Sequence, residues 1–174
     1  LFLIIISLFE YQQDRLINWF YGSNSQSSNS LLALANGGFL GKGIGNSIFK
    51  EYGHLPEVQT DFILSSIGEE VGFLGILIIF SLFIIFFYKG LNIARNCRSR
   101  FSMFLSIGLT INIFFYLLVN SAYVIGLLPT TGLPIPFISY GGSQTIFSLI
   151  SVGILVSISR SNYKNSHIKY YYGT

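Results

Sequence analysis

The chain has 174 residues, of which 51% are hydrophobic, 17% aromatic and only 10% charged, and its ten Lys/Arg against seven Asp/Glu leave a net charge of +3. Soluble domains carry about 25% charged residues, so this composition, with a mean hydropathy of +0.60, excludes an ordinary soluble domain. The single cysteine, Cys97, excludes an intramolecular disulfide.

Residues 1–9 are apolar but too short for a hydrocarbon core of about 30 Å. They lack the basic start and small-residue cleavage site of a signal peptide. They read as the end of a transmembrane helix, so the chain is expected to be a C-terminal fragment of a larger protein. Residues 10–61 read as one large extracytoplasmic loop. In it, Trp19 and Tyr21 suit a membrane interface, where amphipathic rings collect. The Ser- and Asn-rich stretch 22–30 is expected to be a mobile loop, and residues 31–35 a short helix stopped by Asn36-Gly37-Gly38. Glycines at 37, 38, 41, 43 and 45 free this backbone for positive φ. The run has no preceding strand and no Gly-Lys-Ser/Thr ending, so a nucleotide-binding loop is not expected. Lys42 is either a surface lysine in a tight turn or a cation held near a lipid phosphate by glycine-freed amides.

Three long apolar stretches follow, at 62–88, 101–128 and 137–159, and only Glu69 and Glu70 interrupt them with charge. Each exceeds the roughly 20 residues a membrane helix needs, which predicts an all-α integral membrane protein. Between the last two, Pro129, Gly132, Pro134 and Pro136 forbid a regular helix and predict a re-entrant segment lining a cavity. Residues 160–174 read as a tail. Seven Lys/Arg lie in that tail and in the connection after 62–88, against only Arg15, Lys42 and Lys50 elsewhere. The positive-inside rule then makes the tail cytoplasmic and puts the Asp61 loop on the outer face.

Four carboxylates, Glu57, Asp61, Glu69 and Glu70, crowd the junction of loop and helix, and no acid follows Glu70. Acids at the mouth of a membrane helix are costly unless they face water, a partner or a ligand. Asp61 stands where a helix N-terminus favours the carboxylate form. The alternative is that Thr60-Asp61 simply caps the helix. Glu57 is a loop-surface charge or a substrate or metal contact. Glu69 and Glu70 lie roughly 12 Å deeper and are expected to pair structurally with a helix outside this chain. Asn112 and Asn120, two turns apart, are expected to hydrogen-bond between helices.

The motifs Gly37-Gly-Phe-Leu-Gly-Lys-Gly-Ile-Gly-Asn46, Leu55-Pro-Glu-Val-Gln-Thr-Asp-Phe62, Gly68-Glu-Glu-Val-Gly72 and Leu128-Pro-Thr-Thr-Gly-Leu-Pro-Ile-Pro-Phe-Ile-Ser-Tyr-Gly-Gly-Ser143 closely resemble the SEDS family of shape, elongation, division and sporulation proteins. The resemblance covers nearly the whole chain up to Arg160. Gly43–Ser47 and Ser66–Glu70 resemble the division or sporulation branch more than the elongation branch, the division branch most closely. Gln59, His54 and Gln144 depart from residues common in the family, and none of these changes removes a carboxylate.

The resemblance implies the last four helices of a ten-helix bundle that polymerises lipid II into peptidoglycan glycan strands. It implies a bacterial inner membrane, or that of a cyanelle or endosymbiont. A class B penicillin-binding protein and other divisome proteins are the implied partners, and no nucleic acid is expected. The family's essential Asp maps onto Asp61. Lys42, Lys50, Glu57, Ser139 and Tyr140 are the candidate substrate contacts, while Glu69, Glu70, Pro129, Gly132, Pro134 and Pro136 are structural or accessory. No cofactor is fixed, although cationic groups or a divalent cation such as Mg or Mn would stabilise a pyrophosphate leaving group. A lipid II flippase and a non-catalytic divisome scaffold are the competing readings. The isolated fragment is expected to be inactive.

Overall fold

The computed structural model of the chain describes residues 17, 19–20, 25–46, 60–130 and 132–172. Among the described residues the helices with defined bounds are, in order, α1 (Ser25–Gly37), α2 (Ile63–Arg95), α3 (Arg100–Val124) and α4 (Gly142–Tyr172). Among the described residues, three helices are long and apolar enough to cross a membrane: α2, α3 and residues 142–162 of α4. The core lies between α2 and α3, with α1 packed across both. Ala33, Phe62, Leu64, Ile113, Leu117, Tyr123 and Val124 form it, joined by Ile135 from the Pro-rich loop.

Helix α1 takes in residues 25–30, which the sequence reading assigned to a mobile loop. Ser and Asn are weak helix formers, and tertiary packing overrides that preference here. Ser30 is fully buried and its hydroxyl donates to the Val124 carbonyl at the end of α3. Nearby, Trp19 Nε1 donates to the Gly126 carbonyl at 2.9 Å, so a residue expected to sit at a lipid interface is tied to the turn that ends α3.

Helix α2 departs from its expected form in two ways. It runs on to Arg95 rather than ending near Tyr88, because Gly90 continues the helix at a close crossing where an added Cβ would collide with Thr110. Small residues permit such close approach between membrane helices. It is also broken: Gly72 has φ 77° and ψ −169°, a conformation open essentially to glycine alone. In an unbroken helix the Phe73 and Leu74 amides would bond to the Glu69 and Glu70 carbonyls. Instead Phe73 N–H donates to Gly38 O (3.0 Å) and Leu74 N–H to Phe39 O (3.3 Å). The vacated Glu69 and Glu70 carbonyls accept from Lys42 N–H and Gly43 N–H, each at 2.9 Å. The glycine-rich segment after α1 is thus spliced into the break and satisfies both helix ends, as apolar surroundings demand.

Helix α3 begins with Ser99 as N-cap, its hydroxyl accepting from Ser102 N–H at 3.0 Å. It ends at Val124, four residues before the predicted boundary, in a Schellman motif. Gly126 has φ 77°, Gly126 N–H donates to Tyr123 O (3.0 Å) and Leu127 N–H to Ala122 O (2.8 Å). Helix α4 starts at Gly142 instead of residue 137, because residues 135–139 fold on themselves. Ser139 N–H donates to Ile135 O at 3.0 Å, and Ile135 N–H donates back to Ser139 Oγ at 2.9 Å. The expected tail 160–174 continues as helix to Tyr172.

Candidate functional site

Asp61 lies in the turn that leads into α2, half-buried, beside the Pro-rich loop. The helix N-cap position is taken by Phe62, which makes no side-chain capping bond. Phe62 is buried and its ring meets Tyr123 edge-on, with centroids 5.9 Å apart and an interplanar angle of 77°. That contact fixes the entry of the turn onto the end of α3.

Two side chains of α3 hold the backbone around the carboxylate. Asn120 Nδ2 donates to the Asp61 carbonyl (3.0 Å) and to the Leu133 carbonyl (2.9 Å). Tyr123 OH reaches the same two carbonyls at 3.1 and 2.9 Å, and Asn120 Nδ2 also bonds to Tyr123 OH. Asn120 and Tyr123 are both fully buried; Asn120 Nδ2 and Tyr123 OH are hydrogen-bonded there, whereas Asn120 Oδ1 finds no partner among the described residues. Next to Leu133, Gly132 has φ 70°, and a Cβ added there would stand 3.5 Å from Asp61 Oδ2. The loop backbone therefore passes directly against the carboxylate.

A second cluster forms at the helix break. Glu69 is 0% exposed, and Lys42 Nζ lies 3.9 Å from its Oε1. Glu70 Oε2 accepts from Gly45 N–H at 3.2 Å. The sequence reading expected these acids to pair with a helix outside the chain; within the chain, the glycine-rich segment supplies a lysine to Glu69 and a backbone amide to Glu70. A buried carboxylate needs such company, since desolvating an unpaired charge is expensive.

The structure thus joins Asp61 to Gly132 in one place and Lys42 to Glu69 in another. Ser139 is buried and engaged with Ile135, and Pro136 is buried beside it. Pro129 and Pro134 are half-buried, whereas Tyr140 is 80% exposed at the end of the same loop. Lys50 and Glu57 lie outside the described residues. Among the described residues no three His, Cys, Asp or Glu side chains converge. The sequence reading placed Asn120 between helices and passed over Tyr123. The signal was a polar pair one turn apart at the end of an apolar helix, directly before the Pro-rich loop. Asn112, its expected companion, is exposed on α3.

Comparison with known proteins gives this geometry its context. The chain is 46% identical over 134 residues to the probable peptidoglycan glycosyltransferase FtsW of Geobacter sp. (strain M18), covering 77% of this chain and 36% of that protein. It is 39% identical over 171 residues to the protein of the same name from Haemophilus influenzae, covering 93% of this chain and 43% of the relative. The Bacillus subtilis protein of that name is 45% identical over 137 residues, covering 79% and 34%. The chain therefore spans well under half the length of the curated relatives it matches. Among solved structures it resembles a chain from work on the structural coordination of polymerization and crosslinking by a peptidoglycan synthase complex. The TM-score is 0.67 at 26% identity, over 88% of this chain and 43% of that one. Residues 1–164 match the FtsW/RodA/SpoVE family of cell cycle proteins, and the chain belongs to that family.

Proposed function

We propose that the complete protein is a peptidoglycan glycosyltransferase of septal wall synthesis, that it polymerises lipid II, and that Asp61 is its general base. The observation that carries this reading is Asp61 itself: a half-buried carboxylate at a membrane-helix mouth, with its backbone tied down and a glycine-thin loop wall beside it. In glycosyl transfer the acceptor hydroxyl oxygen attacks the donor's anomeric carbon. Its proton passes to an Asp61 carboxylate oxygen as the carbon–oxygen bond to the pyrophosphate breaks and the pyrophosphate leaves with the electron pair. A positioned base contributes about 10²–10⁴-fold to such a step. The names of the relatives agree with this chemistry.

In this reading the Asp61 turn and the Pro-rich loop lie on the outer face of the inner membrane, in a ten-helix bundle, with the Pro-rich loop re-entrant. Lys42 lies at the helix break and can help to hold the pyrophosphate. Tyr140, exposed on the loop, is open to sugar contact, and Lys50 and Glu57 are further candidate substrate contacts. The partner is a class B penicillin-binding protein that cross-links the product.

The break at Gly72 favours a second reading, lipid II translocation, because broken membrane helices are a feature of transporters. One experiment separates the two. Fluorescent lipid II is supplied to vesicles that carry the complete protein, and both glycan chains and transbilayer movement are measured. The proposal expects glycan on the side that bears the Asp61 loop. Translocation without glycan, under conditions in which a related polymerase works, would contradict it.

A further inference from the structure

The hydrogen bonds at the end of α3 do more than fill a core. Asn120 carries two amide protons and Tyr123 one hydroxyl proton. All are directed at a pair of backbone carbonyls and at each other: Asp61 O, from the turn before α2, and Leu133 O, from the Pro-rich loop. These two carbonyls are 72 residues apart in sequence and belong to segments without regular structure of their own. Each loop has other fastenings. The Phe62 ring packs on Tyr123, and Ser139 closes the Pro-rich loop on itself. The Asn120–Tyr123 bonds run from one helix to both sides of the carboxylate, with Gly132 next to Leu133 and Phe62 next to Asp61.

We propose that Asn120 and Tyr123 are positioning residues for the transfer reaction, a two-residue clamp that joins the Asp61 turn to the Pro-rich loop and fixes the carboxylate beside Gly132. The proposal rests on the reading of Asp61 as the base. The clamp acts through backbone carbonyls, so it sets where the carboxylate points without altering its charge. A displacement of 1 Å in a reacting group can cost about 100-fold in rate, which is the scale on which the clamp should matter. The single Tyr123 proton serves one carbonyl at a time, so loss of Asn120 leaves a partial clamp, loss of Tyr123 leaves the two Asn120 bonds, and loss of both frees the loops.

The test uses the complete protein, reconstituted in vesicles with fluorescent lipid II, and measures kcat, KM and thermal stability. The variants are Tyr123→Phe, Asn120→Leu, their double combination and Asp61→Asn. Tyr123→Phe keeps the ring against Phe62, and Asn120→Leu keeps the volume in an apolar helix, so both should fold. The clamp predicts a loss of a few-fold for Tyr123→Phe, about tenfold for Asn120→Leu, and about 100-fold in kcat for the double variant, with KM unchanged. A purely structural role predicts lower melting temperatures, with the kcat of the folded protein within twofold of wild type, and that result overturns the proposal. Should the double variant not fold, the Asn120→Leu kcat decides alone. Asp61→Asn separates the two levels of argument. If it abolishes turnover while the clamp variants keep theirs, the clamp is wrong and Asp61 stands. If Asp61→Asn keeps full turnover, the catalytic reading fails and the clamp proposal falls with it.

Discussion

Glu69 is fully buried in a helix that a membrane surrounds, and Lys42 reaches it from a segment that is sequentially remote. Removing the lysine takes away the cation that compensates this charge, whereas removing both charges leaves a neutral amide. Lys42→Met should therefore lower the melting temperature of the complete protein, at a cost of about 1–3 kcal/mol because the lysine is itself part-exposed. Adding Glu69→Gln should restore most of that loss, since breaking a buried pair costs more than replacing it. Melting curves of the single and double variants check this, and equal losses in both would contradict the charge-compensation account. The residue types at this cluster were legible in the sequence, but their pairing was not. Lys42 and Glu69 are 27 positions apart, and only the splice of the glycine-rich segment into α2 brings them together.

At the scale of elements, hydropathy identified the three membrane helices, because apolar runs of that length leave few alternatives. Their ends were less legible. Val124 ends α3 because Ile125-Gly126 forms a Schellman cap, while the apolar run itself continues to Leu128. The break in α2 was hidden for a related reason: glycine within a membrane helix is common, and nothing local marks Gly72 as a partner of Gly38 and Phe39. The two glycines should respond differently to alanine. Gly126→Ala meets only ordinary contact with Leu31 at 3.8 Å and should cost about 1–2 kcal/mol, the left-handed penalty alone. Gly72→Ala combines a glycine-only conformation with a collision against the Gly41 backbone and should cost about 3 kcal/mol or more. Thermal unfolding in detergent, compared across the two variants, checks the order. Equal tolerance would mean that α2 is continuous.

At the scale of the whole molecule, broad apolar faces remain exposed on α2, including Leu77, Ile78, Leu82, Ile84 and Ile85. Patches of this size mark surfaces that lipid or other helices cover. Charge predicts which ends face the cytoplasm, and cysteine labelling tests it. In a Cys97→Ser background, Tyr140→Cys should react with a membrane-impermeant maleimide from the outer face. Arg98→Cys should react only after permeabilisation, and the reverse pattern would invert the topology. The central claim is that Asp61 performs the proton transfer, and the rate of lipid II polymerisation by the complete protein with Asp61→Asn tests it most directly. The substitution keeps size and removes charge, so a protein that melts as wild type but polymerises about 10²–10⁴-fold more slowly is the expected result. Polymerisation at the wild-type rate would contradict the account and return Asp61 to the role of a loop residue.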